Sequence, residues 1–261
     1  MRREDALVDY EIRVATDFSA LETDALAAMA EAGQELVEIH RVLAKTSDNV
    51  VGELLRGQGT FYEWDHYPPG DVYDAETHGQ YYYHAHPPDQ RFPGEHGHFH
   101  TFLRPKGMPP GIKPAPLPGV EPQGVEPGGV EPRGANDALS HLVAVAMDAK
   151  GVPTRLFTVN RWVTGETWYR ASDVARMIDH FKIDHARPSW PVNRWITALV
   201  RLFKPQVLEL LTARDQAVAA WARHHPGVDV YEDRNLEVTS FVDISIEQQV
   251  RAVGQALVAR Q

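Results

Sequence analysis

The chain has 261 residues, 43% hydrophobic and 24% charged, with a formal net charge of −10 and no cysteine. This is the composition of a globular protein with a sizeable core; it excludes disulfides, thiolate metal sites and cysteine nucleophiles, and an acidic chain without Lys/Arg clusters argues against nucleic acid as partner. No apolar run approaches the ~18 residues of a membrane span, and the opening Met1-Arg2-Arg3-Glu4-Asp5 lacks the apolar segment of a secretory leader, so a cytoplasmic protein without membrane contact is expected, its oligomeric state left open.

Leu21, Ala25, Ala28, Met29, Ala32, Leu36, Val37, Ile39 and Leu43 recur at helical spacing and predict one long helix over 17–45, capped by Asp17 or Ser19. A short helix over 50–55 follows, and Gly57-Gln58-Gly59 breaks it. Residues 60–67, Thr-Phe-Tyr-Glu-Trp-Asp-His-Tyr, are aromatic and alternate, which predicts a strand ended by Pro68-Pro69-Gly70. Residues 79–86 and 95–103 read as two further strands, stopped by Pro87-Pro88 and by Arg104-Pro105. Their short, turn-rich connections favour antiparallel neighbours.

Residues 105–134 are rich in Pro and Gly, and Gly-Val-Glu-Pro recurs in them from 119, 124 and 129. Such a repeat cannot bury a core, so the segment is read as a flexible insertion acting as a spacer. Order returns near Ala138. Residues 139–147 and 154–163 form an expected hairpin around Asp148-Ala149-Lys150-Gly151, with a short piece at 167–170. Helices are expected over 172–182, 191–203 and 205–224, then a strand over 236–243 and a last helix over 246–260 capped by Ser245, with Gln248 placed for a capping box. Strand and helix runs are segregated rather than alternating. That predicts an α+β fold: one domain over 1–261 with an antiparallel sheet of five to six strands covered by helices.

Seven of the thirteen histidines fall between His66 and His100, and five of these sit in alternating runs, His84-Ala85-His86 and His96-Gly97-His98-Phe99-His100. A strand has a side-chain period of two, so each run places its imidazoles on one face. Two neighbouring strands with imidazoles on a common face can supply the three or four converging donors of a transition-metal site. The expected metal residues are therefore His84, His86, His96, His98 and His100, with His84, His86, His98 and His100 at the core. Iron is the preferred ion for imidazole and carboxylate donors beside phenols, with zinc, copper, manganese and nickel as further candidates. On the same parity Tyr82 shares a face with His84 and His86 and is the phenol placed to ligate, donate a proton or bind a substrate oxygen. Glu95 adjoins the second run as a carboxylate donor, and Glu63 and Asp65 lie on the preceding strand. His141 could add a ligand or base if its hairpin joins the sheet, and Arg161 could bind an anionic group of a small-molecule substrate.

Three resemblances attach to these residues. His84-Ala85-His86 followed by Glu95 loosely resembles the cupin arrangement of two histidines, a spacer and a glutamate, which would imply a β-barrel site on His84, His86 and Glu95; the spacer here is longer and the glycine frame is missing. His96-Gly97-His98-Phe99-His100-Thr101-Phe102 is similar to the histidine-triad pattern, which implies nucleotide hydrolysis or transfer with His98 as nucleophile, although Gly97 occupies an apolar position of that pattern. Gly57 to Trp64, Tyr81 to His86, Glu95 to His100 and Asn160-Arg161-Trp162-Val163-Thr164-Gly165-Glu166 resemble an uncharacterised bacterial family, a domain of unknown function, over most of the chain outside the Pro-rich insertion. That last resemblance implies no activity. The residues themselves point to a His-ligated, non-haem metalloenzyme of oxidoreductase or oxygenase type acting on a small molecule. A histidine-triad-like nucleotide enzyme and a non-catalytic metal-binding or sensing protein are the alternatives.

Overall fold

A computed structural model describes residues 11–12, 16–117 and 136–260. It contains one six-stranded sheet in the order β1-β2-β3-β4-β5-β6, every neighbouring pair antiparallel. The strands are β1 Tyr67–Tyr73, β2 Gly79–His84, β3 Glu95–Leu103, β4 Ser140–Asp148, β5 Pro153–Val159 and β6 Val238–Asp243. Among the described residues seven α-helices accompany them: α1 Thr23–Ala44, α2 Val50–Leu55, α3 Arg161–Thr164, α4 Ala171–Met177, α5 Trp190–Leu202, α6 Lys204–His224 and α7 Ile246–Val258. The α+β expectation holds.

The helices take the face of the sheet that the sequence pattern offers them. Tyr81 and Tyr83 of β2, Phe99 and Leu103 of β3, and Val143, Val145 and Met147 of β4 pack into one core with Leu26, Leu36, Trp195, Ile196, Leu199 and Phe203. Each such side chain taken from water contributes roughly 1.5–3 kcal/mol. The buried Tyr81 hydroxyl donates to Asn193 Oδ1 at 2.6 Å, so the phenol enters the core without an orphaned donor. Helix starts follow local chemistry: Asn49, Ser189 and Ser245 each accept backbone N–H groups at the N-termini of α2, α5 and α7.

Several boundaries move. Asp17 caps a 3₁₀ turn over Phe18–Ala20, and α1 begins only at Thr23. The expected strand over 60–67 is not formed; β1 instead starts at Tyr67 and runs through Pro68-Pro69-Gly70. Proline lacks a ladder donor but is tolerated on an edge strand, and β1 is an edge with an irregular register between Tyr67 and Val72. The strand expected to reach 163 ends at Val159, where Asn160 caps the short α3. The helix expected over 172–182 is α4 followed by a 3₁₀ turn over Ile178–His180, and residues 167–170 form no strand.

Of the Pro-rich segment, residues 105–117 are described. They open with a 3₁₀ turn over Pro105–Gly107, Met108 and Ile112 pack on the main core, and Ala115 and Leu117 pack beside Trp168. The Gly-Val-Glu-Pro repeat lies outside the described residues. Among the described residues no helix is long and apolar enough to cross a membrane.

Candidate metal centre

The sheet face opposite the helices carries the histidines. His84 of β2 stands directly across from His98 of β3, and Tyr82 across from His100. The strand ladder therefore delivers the alternation read from the sequence as facing pairs. His84 Nε2 lies 2.8 Å from His98 Nε2. His86, two residues beyond His84, brings its ring to 4.9 Å from that of His84 and 5.0 Å from that of His98. Among the described residues, His84, His86 and His98 form a buried group whose ligand atoms all lie within 4.8 Å of one another and which could hold a metal ion. An ion about 2.1 Å from each nitrogen would hold them roughly 3.0–3.5 Å apart, which small side-chain rotations reach.

Glu95 stands behind this group. Its Oε1 lies 2.5 Å from His98 Nδ1, and its Oε2 accepts the Phe92 N–H at 3.2 Å. Burial works to raise this carboxyl, but its contacts with His98 and the Phe92 N–H outweigh it and hold the group below its ordinary value. An ionised Glu95 fixes the proton of His98 on Nδ1 and turns the lone pair of Nε2 toward His84. This is the usual way in which a carboxylate orients an imidazole ligand. Burial, followed by the neighbouring His98, His86 and His66, pushes His84 far below the ordinary imidazole range. His84 is thus neutral at physiological pH, the form that donates to a metal.

A bulge decides which residues join. Glu95 pairs with Asp148 and Gly97 with Met147, so β3 spends two residues where β4 spends one. The extra residue shifts the phase before Gly97. Glu95 then falls on the imidazole face. His96, expected beside His98 and His100 on simple alternation, turns to the helical side, where its Nδ1 lies 2.6 Å from the Tyr83 hydroxyl and its ring 5.5 Å from that of Phe61. Gly97 has no room for a side chain: a Cβ there would sit 2.5 Å from the His84 carbonyl oxygen and 2.6 Å from the Tyr83 hydroxyl.

The remaining expected residues are placed as follows. His100 is fully buried beside the group, its Nδ1 3.0 Å from Nε2 of His141. Burial, and then Arg214 and His98, push His141 down to about 3. Tyr82 lies on the imidazole face with its ring stacked 3.6 Å from that of His66 and 5.1 Å from that of His100; burial, with Asp71 and Glu166, raises its phenol. Arg161 pairs with Glu232 and is not among the residues that border the cavity described below. Glu63 pairs with Arg91 at 2.7 Å.

The connections contribute residues that periodicity could not announce. Trp64, at φ 72°, donates its backbone N–H to Ala85 O at 2.8 Å and stacks its indole 4.3 Å from the His86 ring. Phe92 and Phe157 wall a cavity of about 20 Å³ that His86, His98 and His100 also border. That is room for about one water. Glu166 is buried with Oε2 accepting the His141 N–H at 2.7 Å, while Oε1 has no partner among the described residues. Burial pushes its carboxyl up to about 8, against the pull of Arg214, the His141 N–H and Arg161. In the sequence Glu166 stands out only as the last residue of the stretch Asn160 to Glu166 that carries the family resemblance.

Residues 30–244 match the family described as Domain of unknown function (DUF6969), and the chain belongs to that family. No curated protein and no solved structure is matched.

Proposed function

We propose that this member of the family is a transition-metal enzyme in which His84, His86 and His98 ligate a divalent ion and a very small molecule is turned over at its open position. The observation that carries the reading is the buried trio, with ligand atoms within 4.8 Å of one another and His98 backed by Glu95. Three imidazoles leave a coordination position free, and the cavity of about 20 Å³ lies beside His86 and His98. A closed structural site would have no such space. Bound there, an ion would act as a Lewis acid toward a water or another small ligand, or as a redox centre if it is iron. The protein's own part is to keep His84 neutral, hold the His98 tautomer through Glu95, and line the open position with Phe92 and Phe157. Iron(II) with oxidoreductase chemistry and zinc(II) with hydrolytic or hydration chemistry both suit this donor set.

The histidine-triad reading draws less support. Both nitrogens of His98 are engaged, with Glu95 and with His84, and the cavity holds about one water rather than a nucleotide. Elemental analysis of the purified protein tests the proposal, with near-stoichiometric iron or zinc expected. Replacing His84 and His98 together by Ala should abolish it while circular dichroism stays that of the folded chain. Full metal occupancy in the double variant would sink the assignment.

A further inference from the structure

His100 borders the centre without belonging to it. Its ring lies 4.9 Å from that of His98 and 5.3 Å from that of His84, yet it falls outside the group whose ligand atoms converge. It is fully buried, and its Nδ1 faces Nε2 of the equally buried His141 at 3.0 Å. Its other nitrogen, Nε2, is buried with no hydrogen-bond partner among the described residues. Buried polar atoms in native proteins are nearly always paired, and an orphan points to a water or ligand that completes it. His100 also borders the cavity of about 20 Å³, which has the polar lining and the size to hold one water.

We propose that His100 Nε2 holds the exogenous ligand of the metal, a water or a two- or three-atom anion, and that His141 is a positioning residue acting through His100. The inference rests on the metal reading above. One proton lies between His100 Nδ1 and His141 Nε2, and its position sets what Nε2 presents to the cavity. With the proton on His100 Nδ1, Nε2 carries a lone pair and accepts from a metal-bound water. With the proton on His141 Nε2, that ring has released its Nδ1 proton and His100 has taken one up on Nε2, so the pair still holds two protons and His100 donates to an anion. Both arrangements leave both rings neutral, so the pair serves either ligand without placing a charge in a buried site. The cavity favours a small ligand, with Phe92 and Phe157 lining it beside the imidazoles.

The test uses the full-length protein loaded with cobalt(II), whose visible absorption reports coordination. Cobalt affinity is measured by competition with a chelator, and azide is titrated into the loaded protein. The wild type should bind one cobalt and change its spectrum with azide. His100→Phe should keep cobalt affinity within about threefold while azide affinity falls roughly 10- to 100-fold, the loss of a hydrogen bond to a charged group. His100→Leu, closer in volume to the imidazole than Phe is, provides the same comparison if Phe overfills the strand face. His141→Leu should weaken azide in the same direction, and His141→Gln, which restores a donor or acceptor to His100 Nδ1, should recover part of it. Unchanged azide affinity in folded, cobalt-loaded His100→Phe or His100→Leu would overturn the proposal. So would loss of cobalt itself in those variants, because His100 would then be a ligand. A wild type that binds no cobalt would instead refute the metal reading, and this inference with it.

Discussion

Glu166→Gln isolates the energetic cost of a buried carboxyl. Glu166 is 1% exposed, one oxygen accepts the His141 N–H at 2.7 Å, and the other has no partner among the described residues. Burial holds its pKa up at about 8, against an ordinary 4.5 in the unfolded chain. Below pH 4.5 both states are neutral and the group contributes nothing. Between 4.5 and 8 the unfolded chain gives up the proton and the folded chain keeps it, so the unfolded state binds fewer protons and stability falls as pH rises. The loss runs at about 1.4 kcal/mol per pH unit and saturates above pH 8 at on the order of 5 kcal/mol. That is a large share of the 5–15 kcal/mol typical of a domain. The Gln side chain has nearly the same shape, can accept the same N–H, and does not titrate. Urea denaturation of the metal-free protein at pH 5, 7 and 9 measures the difference between variant and wild type, which cancels every other titrating group. The variant should be equal or weaker by up to ~1 kcal/mol at pH 5 and more stable by several kcal/mol at pH 9. A difference that stays constant across the range would refute the account of Glu166 as a proton-retaining buried acid.

Further outcomes follow from the centre itself. Glu95→Gln should weaken metal binding about 10- to 100-fold, as loss of the partner behind a ligating imidazole does, measured by chelator competition; unchanged affinity would remove Glu95 from the site. His96→Phe should leave metal affinity within about twofold, because His96 faces Tyr83 and Phe61 rather than the imidazole group; a large loss would mean that the bulge does not exist in solution. Gly97→Ala should cost about 1–3 kcal/mol in thermal or chemical unfolding, because the new Cβ meets the His84 carbonyl oxygen, which is backbone and cannot rotate away.

Much of this was legible in the residues. Alternation placed Tyr82, His84, His98 and His100 on one face because the ladder between β2 and β3 is regular over those positions. Helical spacing found α1, α5, α6 and α7, and Ser245 capped its helix as read. The failures have local causes. Pro68-Pro69-Gly70 looked like a strand terminator, yet an edge strand needs donors on one side only, and β1 runs through it. The misplacement of His96 came from a bulge, which leaves no mark in a pattern of alternating residues. Trp64 and Phe92 reach the site from connections whose path depends on tertiary contacts: the Trp64 N–H to Ala85 O, and the rings of Phe157 and Phe241 against Phe92. No periodicity carries that information.

The bulge before Gly97 makes the chemistry of the centre a matter of counting. Glu95 and His96 compete for one outlet on the imidazole face, and the extra residue gives it to the carboxylate. Deleting Glu95 would bring His96 into phase and exchange an anionic backing group for a fourth imidazole. Deleting His96 would leave Glu95 in phase on a regular strand. Loss of the Glu95 codon, with no substitution at any ligand, would therefore change the net charge around the ion by a full unit. Insertions and deletions are normally tolerated at loop tips and purged from strands. Here a strand end is the position at which one would convert one kind of metal site into another.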